Sequence, residues 1–391
     1  MAELILKPKE DRRIRAGHLW VFSNEISELR DVGENGDLVD LLSDRGKFFG
    51  RAYYNRHSLI AARILTDRRE DIDSAFFVRR LRGAVGYRQG LLGDTPSCRM
   101  VFSEGDLMPG LIVDKYNNYL VVQLLTLGME RQRQLILEAL IEVLAPDGIL
   151  LRNDSSYRQL EGLPESVEVT HGSVPETVEI EEVGVRFAVD PYHGQKTGFF
   201  FDQRDTRATV RRLARGRRVL DCFCYSGGFS LNAAVGDASS VISVDSSTTA
   251  LDLLKKNAEL NGVGHKITPR REDCFDLLRV LVTEREKFDL IILDPPAFVK
   301  SKSQLKAAVA GYREINVSAM KLLAKGGILV TCSCSQNLSV PAFHDLVRNA
   351  ARDAGVRMRR RAFLTQAGDH PILQAMPETQ YLKCFVLERL T

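Results

Sequence analysis

The stretch RRVLDCFCYSGGFSLNAAVGDASSVISVD, residues 217–245, decides the fold class of this chain. An apolar strand leads into a turn with two adjacent glycines, a helix start follows, and a second apolar strand ends on Asp245. The alternation continues through apolar runs at 288–296 and 328–334, with helical segments between them. Strands and helices that alternate in this way form a doubly wound, mostly parallel sheet. We therefore predict an α/β fold for residues 191–391.

Two smaller modules are predicted before this sheet. Residues 1–73 contain short β-type runs with period-two alternation, separated by Gly and Asp-Arg-Gly turns, which is typical of a small β-barrel. Residues 74–190 combine a helical stretch at 74–92 with a hairpin whose turn we place at 114–118. This middle part is predicted to be a small α+β domain.

The composition is that of an ordinary globular protein. Of its 391 residues, 44% are hydrophobic and 27% are charged. No apolar run approaches the roughly 20 residues that span a bilayer, and the start MAELILKPKEDRR does not resemble a signal peptide. We therefore expect a cytoplasmic protein without membrane contact. The seven cysteines are an odd number and are not spaced like a disulfide framework, so we expect reduced thiols.

Positive charge is concentrated in two runs, although the net charge of the chain is only +3. The first is RDTRATVRRLARGRR at 204–218 and the second is VRMRRRAF at 356–363. A solvated helix face is one interpretation of such a run, and contact with nucleic-acid phosphates is the other.

Four predicted strand ends carry candidate ligand-binding residues. In a doubly wound sheet the ligand lies outside the carboxyl ends of the strands, where the strand order reverses. Gly227 and Gly228 allow a tight turn, Asp245 can hold ribose hydroxyls, Asp273 can reach an adenine amino group, and Asp294 opens a DPP loop. Each feature alone is weak evidence for a ligand-binding site. The G-x-G-x-x-G pattern of dinucleotide-binding domains is absent. Together they resemble class I S-adenosylmethionine (SAM)-dependent methyltransferases.

The DPP loop bears on the kind of base that is methylated. Two prolines make a rigid loop with few donors, against which a planar base can lie. Enzymes that methylate exocyclic amines usually carry an aromatic residue directly after the prolines, whereas here Ala297 precedes Phe298. This departure counts against amine methylation.

Two thiols, Cys332 and Cys334, end a predicted strand beside the DPP loop. A thiolate that adds to C6 of cytosine makes C5 nucleophilic enough to accept a methyl group. Strand alternation predicts that the two thiols share a face, and we choose Cys334 as the nucleophile because it lies further out. Cys332 is interpreted as a small buried hydrophobe. A Cys₄ metal site is disfavoured because C-x-C is not the usual ligand spacing, and a redox pair is a further alternative.

Several motifs together resemble the ribosomal RNA large subunit methyltransferase I family, over essentially the whole chain. They are HLWVFSNEI, YHGQKTGFFFDQRD, CFCYSGGFS, LDPPAFVKSKSQL, CSCS and AGDHPI. The resemblance implies an amino-terminal PUA RNA-binding domain, a central β-rich module and a Rossmann-like methyltransferase domain. It also implies SAM-dependent methylation of C5 of a cytosine in 23S rRNA, with the nucleophile of an SCS motif falling on Cys334. The implied partner is ribosomal RNA, and a homodimer is left open.

The same resemblance assigns site residues. The segment 196–205 would line the methionine side of SAM, and Asp294 and Lys300 would face the target base. No metal is expected. The predicted catalytic residues are Cys334, Asp294 and Lys300, and the predicted SAM contacts are Phe199, Asp202, Arg204, Asp221, Tyr225, Ser226, Gly227, Asp245, Ser246, Asp273, Cys274 and Asp294.

The identity of the base stays open at this stage. A neighbouring family that methylates guanine N7 shares a DPPxF…SK loop. The alternatives are therefore a guanine or adenine N-methyltransferase acting on rRNA, and a non-catalytic RNA-binding factor in ribosome assembly.

Overall fold

The computed structural model describes residues 2–298 and 305–391. These residues divide into two compact units. The first unit comprises the residues up to 180 together with 189–201 and 368–379, and the second comprises 181–188, 202–367 and 380–391. None of the helices in the described ranges has the length and apolar character needed to cross a membrane.

The first unit opens with a six-stranded sheet in the order β2-β6-β5-β4-β1-β3. Most of its pairs are antiparallel, and β1 and β4 run parallel. One short helix, α1, accompanies it. The elements are β1 Ala2–Leu6, α1 Arg12–Arg15, β2 Trp20–Phe22, β3 Ile26–Arg30, β4 Leu38–Leu42, β5 Phe48–Tyr54 and β6 Ile60–Thr66.

A five-stranded sheet in the order β11-β10-β9-β8-β7 forms the rest of the first unit. The helix predicted at 74–92 is confirmed, with the same bounds. It begins after Asp73, whose side chain caps the first turn by accepting from the N–H of Phe76 at 2.9 Å. The predicted hairpin turn is shorter than expected, since the strand continues to Tyr116 and Asn117 adopts a φ of 54°. The elements are α2 Ser74–Leu92, β7 Ser97–Phe102, β8 Leu111–Tyr116, β9 Tyr119–Leu124, α3 Leu127–Arg131, α4 Arg133–Leu144, β10 Gly148–Asn153, α5 Tyr157–Leu160 and β11 Ser166–Gly172.

A short two-stranded sheet follows, built from β12 Val178–Glu182 and β13 Val185–Val189. The second unit then contains a seven-stranded sheet in the order β16-β15-β14-β17-β18-β20-β19. Its elements are α6 Arg204–Leu213, β14 Arg218–Cys222, α7 Gly228–Val235, β15 Ser240–Asp245, α8 Thr248–Leu260, β16 Ile267–Arg271, α9 Cys274–Thr283, β17 Phe288–Leu293, α10 Leu305–Leu322, β18 Leu323–Ser333, α11 Val340–Asp353, β19 Met358–Leu364 and β20 Lys383–Arg389.

The strand order of this sheet confirms the predicted doubly wound α/β fold. The strands β14 to β18 pair in parallel, and β20 is antiparallel to both of its neighbours. The chain passes from β14 outward to β16 and then returns to the other side of β14 with β17. The order therefore reverses beside β14 and β17, where a crevice opens at the carboxyl ends of the strands. Apolar strand residues such as Leu220, Ile291 and Leu329 belong to the core beneath it.

Candidate active site

The turn after β14 has an unusual backbone. Phe223 and Tyr225 adopt φ values of 64° and 48°, and Gly227 adopts 88°. Residues other than glycine rarely occupy this region, and such strain is concentrated at functional sites. The turn is held by the N–H of Cys224, which donates to the carbonyl of Val244 at 3.0 Å. A Cβ added at Gly227 would lie 2.9 Å from Cγ of Leu254, so a larger side chain does not fit there.

Asp221, the penultimate residue of β14, carries a fully buried carboxyl group. Its Oδ2 accepts a hydrogen bond from Oγ of Ser230 at 2.6 Å, and among the described residues its buried Oδ1 has no hydrogen-bond partner. Burial raises the pKa of Asp221 to about 7, and the charges of Asp294 and Asp245 act in the same direction. A buried acid with an unsatisfied oxygen suits a cationic ligand, and SAM carries both an ammonium and a sulfonium group.

The two following strand ends carry the other predicted acids. The half-buried Asp245 accepts from the N–H of Tyr225 through Oδ2 and from the N–H of Ser247 through Oδ1, both at 2.9 Å. Each carboxylate oxygen has a second lone pair, so ribose hydroxyls can still donate to it. Asp273 is exposed and caps α9 through Oδ1, accepting from the N–H of Phe275 at 2.8 Å. Asp245 is the last residue of β15, and Asp273 follows the adjacent parallel strand β16 as the N-cap of α9.

The neighbouring predicted contacts differ in exposure. Ser226 is buried and its carbonyl accepts from Nδ2 of Asn257 at 3.1 Å, whereas Ser246 is exposed at the end of β15. Cys274 is buried as the first residue of α9. Asn257 therefore stabilises the backbone of the turn through a hydrogen bond, while Ser246 is exposed to solvent.

The predicted segment around residues 196–205 is divided between the two units. In the first unit, Phe199 is buried, its N–H donates to the hydroxyl of Tyr116 at 3.1 Å, and its ring lies edge-on to Phe201. In the second unit, Oδ2 of Asp202 accepts from the Tyr381 hydroxyl at 2.6 Å.

The first basic run is not a uniform solvated face. Arg204 and Arg207 are both buried, and Nε of Arg207 donates to Oε1 of Glu182 at 2.6 Å while Nε of Arg204 lies 3.7 Å from Oε2. Arg212 and Arg215 are exposed. The buried Arg204 and Arg207 therefore neutralise an internal glutamate, and the two interpretations of this run apply to its exposed members.

Asp294 follows β17 and is oriented by a residue that sequence reasoning missed. Nε2 of Gln203 donates to Oδ1 of Asp294 at 2.9 Å. Gln203 is buried, and its Oε1 has no hydrogen-bond partner among the described residues. A glutamine beside Asp202 has no distinctive pattern in the sequence, so only proximity in space identifies it. The other predicted residue of this loop, Lys300, lies outside the described residues.

The end of β18 places one thiol where a substrate can reach it. All seven cysteines lie in the described ranges, and Cys334 is the one that is not buried. Cys332 lies opposite Cys384 on β20, and burial raises the pKa of Cys332 well above its usual value. The strand ends at Ser333, so Cys334 begins the following loop. No group of three or more metal-ligating side chains is present in residues 2–298 and 305–391.

Tyr312 on α10 contacts the two serines that flank the Cys334 thiol. Its hydroxyl lies 3.1 Å from Oγ of Ser335 and accepts from Oγ of Ser333 at the same distance. Burial raises the pKa of Tyr312 to about 12, and the negative charges of Cys334 and Asp294 contribute in the same direction. Leu293 pairs in register with Thr331, so Asp294 and Cys334 follow the ends of the adjacent parallel strands β17 and β18.

Lys383 is the second residue that sequence reasoning missed. Its Nζ donates to the carbonyls of Ser335 and Leu338 at 2.7 and 2.8 Å. Burial lowers the pKa of Lys383 to about 8, and the negative charge of Cys334 partly opposes this shift. A signal was available, because a lysine within the otherwise apolar strand LKCFV needs an internal partner.

Comparison with known proteins supplies the context of this site. A PUA-like domain model matches residues 4–67, and a model of S-adenosylmethionine-dependent methyltransferases matches residues 145–358. The chain is 41% identical over 387 residues to ribosomal RNA large subunit methyltransferase I of Yersinia pseudotuberculosis, covering 98% of each chain. A Yersinia pestis protein of the same name matches equally well, with 41% identity and 98% coverage of each chain.

A solved structure shares the whole fold. A protein from Streptococcus mutans, described as a SAM-dependent methyltransferase, superposes with a TM-score of 0.86 at 21% identity, covering 99% of this chain and 100% of that one. This likeness shows that the fold of this chain also occurs in an experimentally determined structure.

Proposed function

The chain belongs to the ribosomal RNA large subunit methyltransferase I family, and we propose that it methylates C5 of a specific cytosine in 23S rRNA through a covalent adduct of Cys334. SAM is its cofactor, because the matching methyltransferase model is that of a SAM-dependent family. One observation carries the choice of reaction. Cys334 is the partly exposed thiol of the chain, and it shares the neighbourhood of Asp294 at the crevice where the strand order reverses.

The proposed chemistry uses this thiol twice. The Cys334 thiolate forms a bond to C6 of the cytosine, and the electron pair of the C5–C6 double bond moves onto C5. Bound SAM supplies an electrophilic methyl group on a sulfonium, and C5 accepts it. Methyl transfer would release S-adenosylhomocysteine. A base then takes the C5 proton, the electron pair of that C–H bond restores the C5–C6 double bond, and the bond between C6 and sulfur breaks to release the thiolate.

Asp294 is proposed to orient the base. A carboxylate accepts hydrogen bonds only, so it matches the exocyclic amino group of cytosine. Gln203 holds one oxygen of this carboxylate at 2.9 Å. Lys300, which lies outside the described residues, is proposed to face the base as well.

The cofactor is proposed to lie along the ends of β14, β15 and β16. The unsatisfied oxygen of Asp221 and the positive-φ turn at Gly227 support this location. The proposed contacts are Phe199, Asp202, Arg204, Asp221, Tyr225, Ser226, Gly227, Asp245, Ser246, Asp273, Cys274 and Asp294.

Recognition of the RNA is proposed to involve residues 1–73, which include the stretch matched by the PUA-like model. Such a domain contributes affinity by shape and backbone contact, as is usual for folded RNA. The target base must then leave its stack to reach the thiol, at a cost of a few kcal/mol. We further propose residues 74–190 as the central module and 191–391 as the methyltransferase domain, with the protein acting in the cytoplasm.

The experiment that tests the reaction compares Cys334→Ala with Cys332→Ser. Each purified variant is given SAM and 23S rRNA, and the modified nucleoside is identified by mass spectrometry. We expect 5-methylcytidine from the wild type and from Cys332→Ser, and none from Cys334→Ala. Wild-type turnover by Cys334→Ala would instead favour the guanine or adenine N-methyltransferase alternative. Absence of SAM binding by the wild type would favour a non-catalytic assembly factor.

A covalent intermediate can be detected directly. In RNA that contains 5-fluorocytidine, C5 carries fluorine in place of the proton whose loss releases the enzyme. We expect the wild type to remain attached to this RNA in a denaturing gel, and Cys334→Ala to release it. Failure of the wild type to form this complex would contradict the proposed adduct.

A further inference from the structure

Lys383 presents a buried cation without a carboxylate partner. It begins β20, and its side chain is only 3% exposed. Burial of an ammonium group is costly unless other groups compensate its charge. Among the described residues, no Asp or Glu forms an ion pair with Lys383. The negative charge that acts on it, and that raises its pKa against the effect of burial, is the charge of Cys334.

The hydrogen bonds of Lys383 lie directly beside the proposed nucleophile. On the adjacent strand, Lys383 pairs in register with Ser333, the residue before Cys334. Its Nζ donates to the buried carbonyls of Ser335 at 2.7 Å and Leu338 at 2.8 Å, so both acceptors lie in the loop that Cys334 begins. An ammonium group has three N–H donors, and these two acceptors leave one for a further partner.

We propose that Lys383 is a positioning residue for the nucleophile, fixing the 334–338 loop and stabilising Cys334 as a thiolate. The inference rests on the proposed function, in which Cys334 attacks the base. Lys383 supplies the positive charge that an attacking cysteine needs near neutral pH. In this arrangement the thiolate is the counter-ion of the ammonium group, and it offsets the free-energy cost of burying that group.

The other ionisable groups around the thiol do not provide that charge. Tyr312 faces it from α10 and is neutral at physiological pH, because burial raises its pKa to about 12. Asp294 follows the end of the adjacent strand β17, and a negative charge there disfavours a thiolate. Cys332 and Cys384 are buried thiols on the two strands below. Of these groups and Lys383, the lysine is the one that carries a positive charge.

The test measures the thiolate form of Cys334 without RNA or SAM. The full-length protein is treated with iodoacetamide between pH 6 and pH 10, and the rate of single alkylation is followed by intact mass. The other six cysteines are buried, so the fast adduct is expected at Cys334 and should disappear in Cys334→Ser. For the wild type we expect a midpoint below about 8.5, the ordinary value for cysteine.

Two substitutions separate charge from hydrogen bonding. Lys383→Gln keeps donors for the two carbonyls but has no charge, and we expect its midpoint to rise by about one to two pH units. Lys383→Arg keeps the charge, and we expect it to restore a midpoint close to that of the wild type. A merely structural role for Lys383 would not predict this split between the two variants.

An unchanged midpoint in Lys383→Gln would overturn the inference. If Lys383→Gln does not unfold cooperatively on heating, it is not folded and its alkylation midpoint is not used. The midpoint of the wild type then tests the inference, and a value at or above about 8.5 overturns it. Failure of the proposed reaction is distinguishable from this result. If the alkylation midpoint depends on Lys383 but Cys334→Ala still methylates RNA, the proposed covalent adduct is contradicted. The inference that Lys383 stabilises the Cys334 thiolate then still stands.

Discussion

Gln203 donates a hydrogen bond from Nε2 to Oδ1 of Asp294 at 2.9 Å, joining the segment before α6 to the end of β17. The two residues are about ninety positions apart in the chain, and both are contained in the second unit. Because a carboxylate cannot donate when ionised, the amide nitrogen must face Asp294 and the amide oxygen must point away from it. One oxygen of Asp294 is therefore held by a side chain that takes no part in the proposed reaction.

Gln203→Ala is expected to lower kcat/KM for RNA methylation about 10- to 100-fold, because a hydrogen bond to a charged group contributes about 1.5–3 kcal/mol. The measurement is a steady-state methylation assay with SAM at saturation. The exposed Gln159, which is paired with Glu165 far along the chain from the site, provides a matched control as Gln159→Ala. Wild-type kinetics in Gln203→Ala would show that Asp294 does not need this support.

Gly227→Ala is expected to weaken SAM binding at least tenfold. Its added Cβ would lie 2.9 Å from Cγ of Leu254 at a φ of 88°, so the turn must move. Gly262→Ala is the matched control, because its φ is 67° but no atom lies within 4 Å of the added Cβ. Calorimetric titration with SAM should show weaker binding for the first variant alone. Equal affinities would mean that the turn does not cradle the cofactor.

The stability of the cofactor-free protein is expected to depend on pH through Asp221. Burial raises its pKa to about 7, so the folded state binds a proton that the unfolded state releases near pH 4. The resulting stabilisation is complete below that unfolded pKa and is lost as pH rises toward 7. Between pH 5 and pH 8, the wild type should lose about 2–3 kcal/mol relative to Asp221→Asn.

Urea unfolding at both pH values measures this difference. Asp252→Asn changes an exposed acid on α8 and should follow the wild type at each pH. Parallel pH profiles of the wild type and Asp221→Asn would contradict the expected linkage. The comparison is made without SAM, because a bound cation would favour the carboxylate form and reduce the effect.

Arg212→Gln combined with Arg215→Gln is expected to weaken RNA binding and to flatten its salt dependence. Both side chains are exposed in the first basic run, and each phosphate contact that is lost should reduce the log–log salt slope by roughly 0.7–0.9. Binding is measured by filter retention over a series of KCl concentrations. Arg82→Gln, an exposed arginine outside both basic runs, is the control, and an unchanged slope in the double variant would exclude this surface.

The pattern of residues was sufficient to predict the doubly wound sheet. Apolar strands such as 288–293 are buried in a core that any parallel sheet of this kind must have, and their alternation with helices is visible locally. The acids at the strand ends could be anticipated for the same reason. Asp245 and Asp273 lie where they do because the carboxyl ends of parallel strands share one edge.

The partners of the supporting side chains could not be anticipated, because they depend on contacts between distant segments. The side chain of Gln203 meets Asp294, Lys383 meets the loop after Cys334, and Arg207 is withdrawn from the surface by Glu182. A run of arginines looks equally basic whether each member is exposed or paired inside. Local periodicity specifies which elements form, whereas burial and charge compensation arise when those elements pack, and that packing selects the side chains available for chemistry.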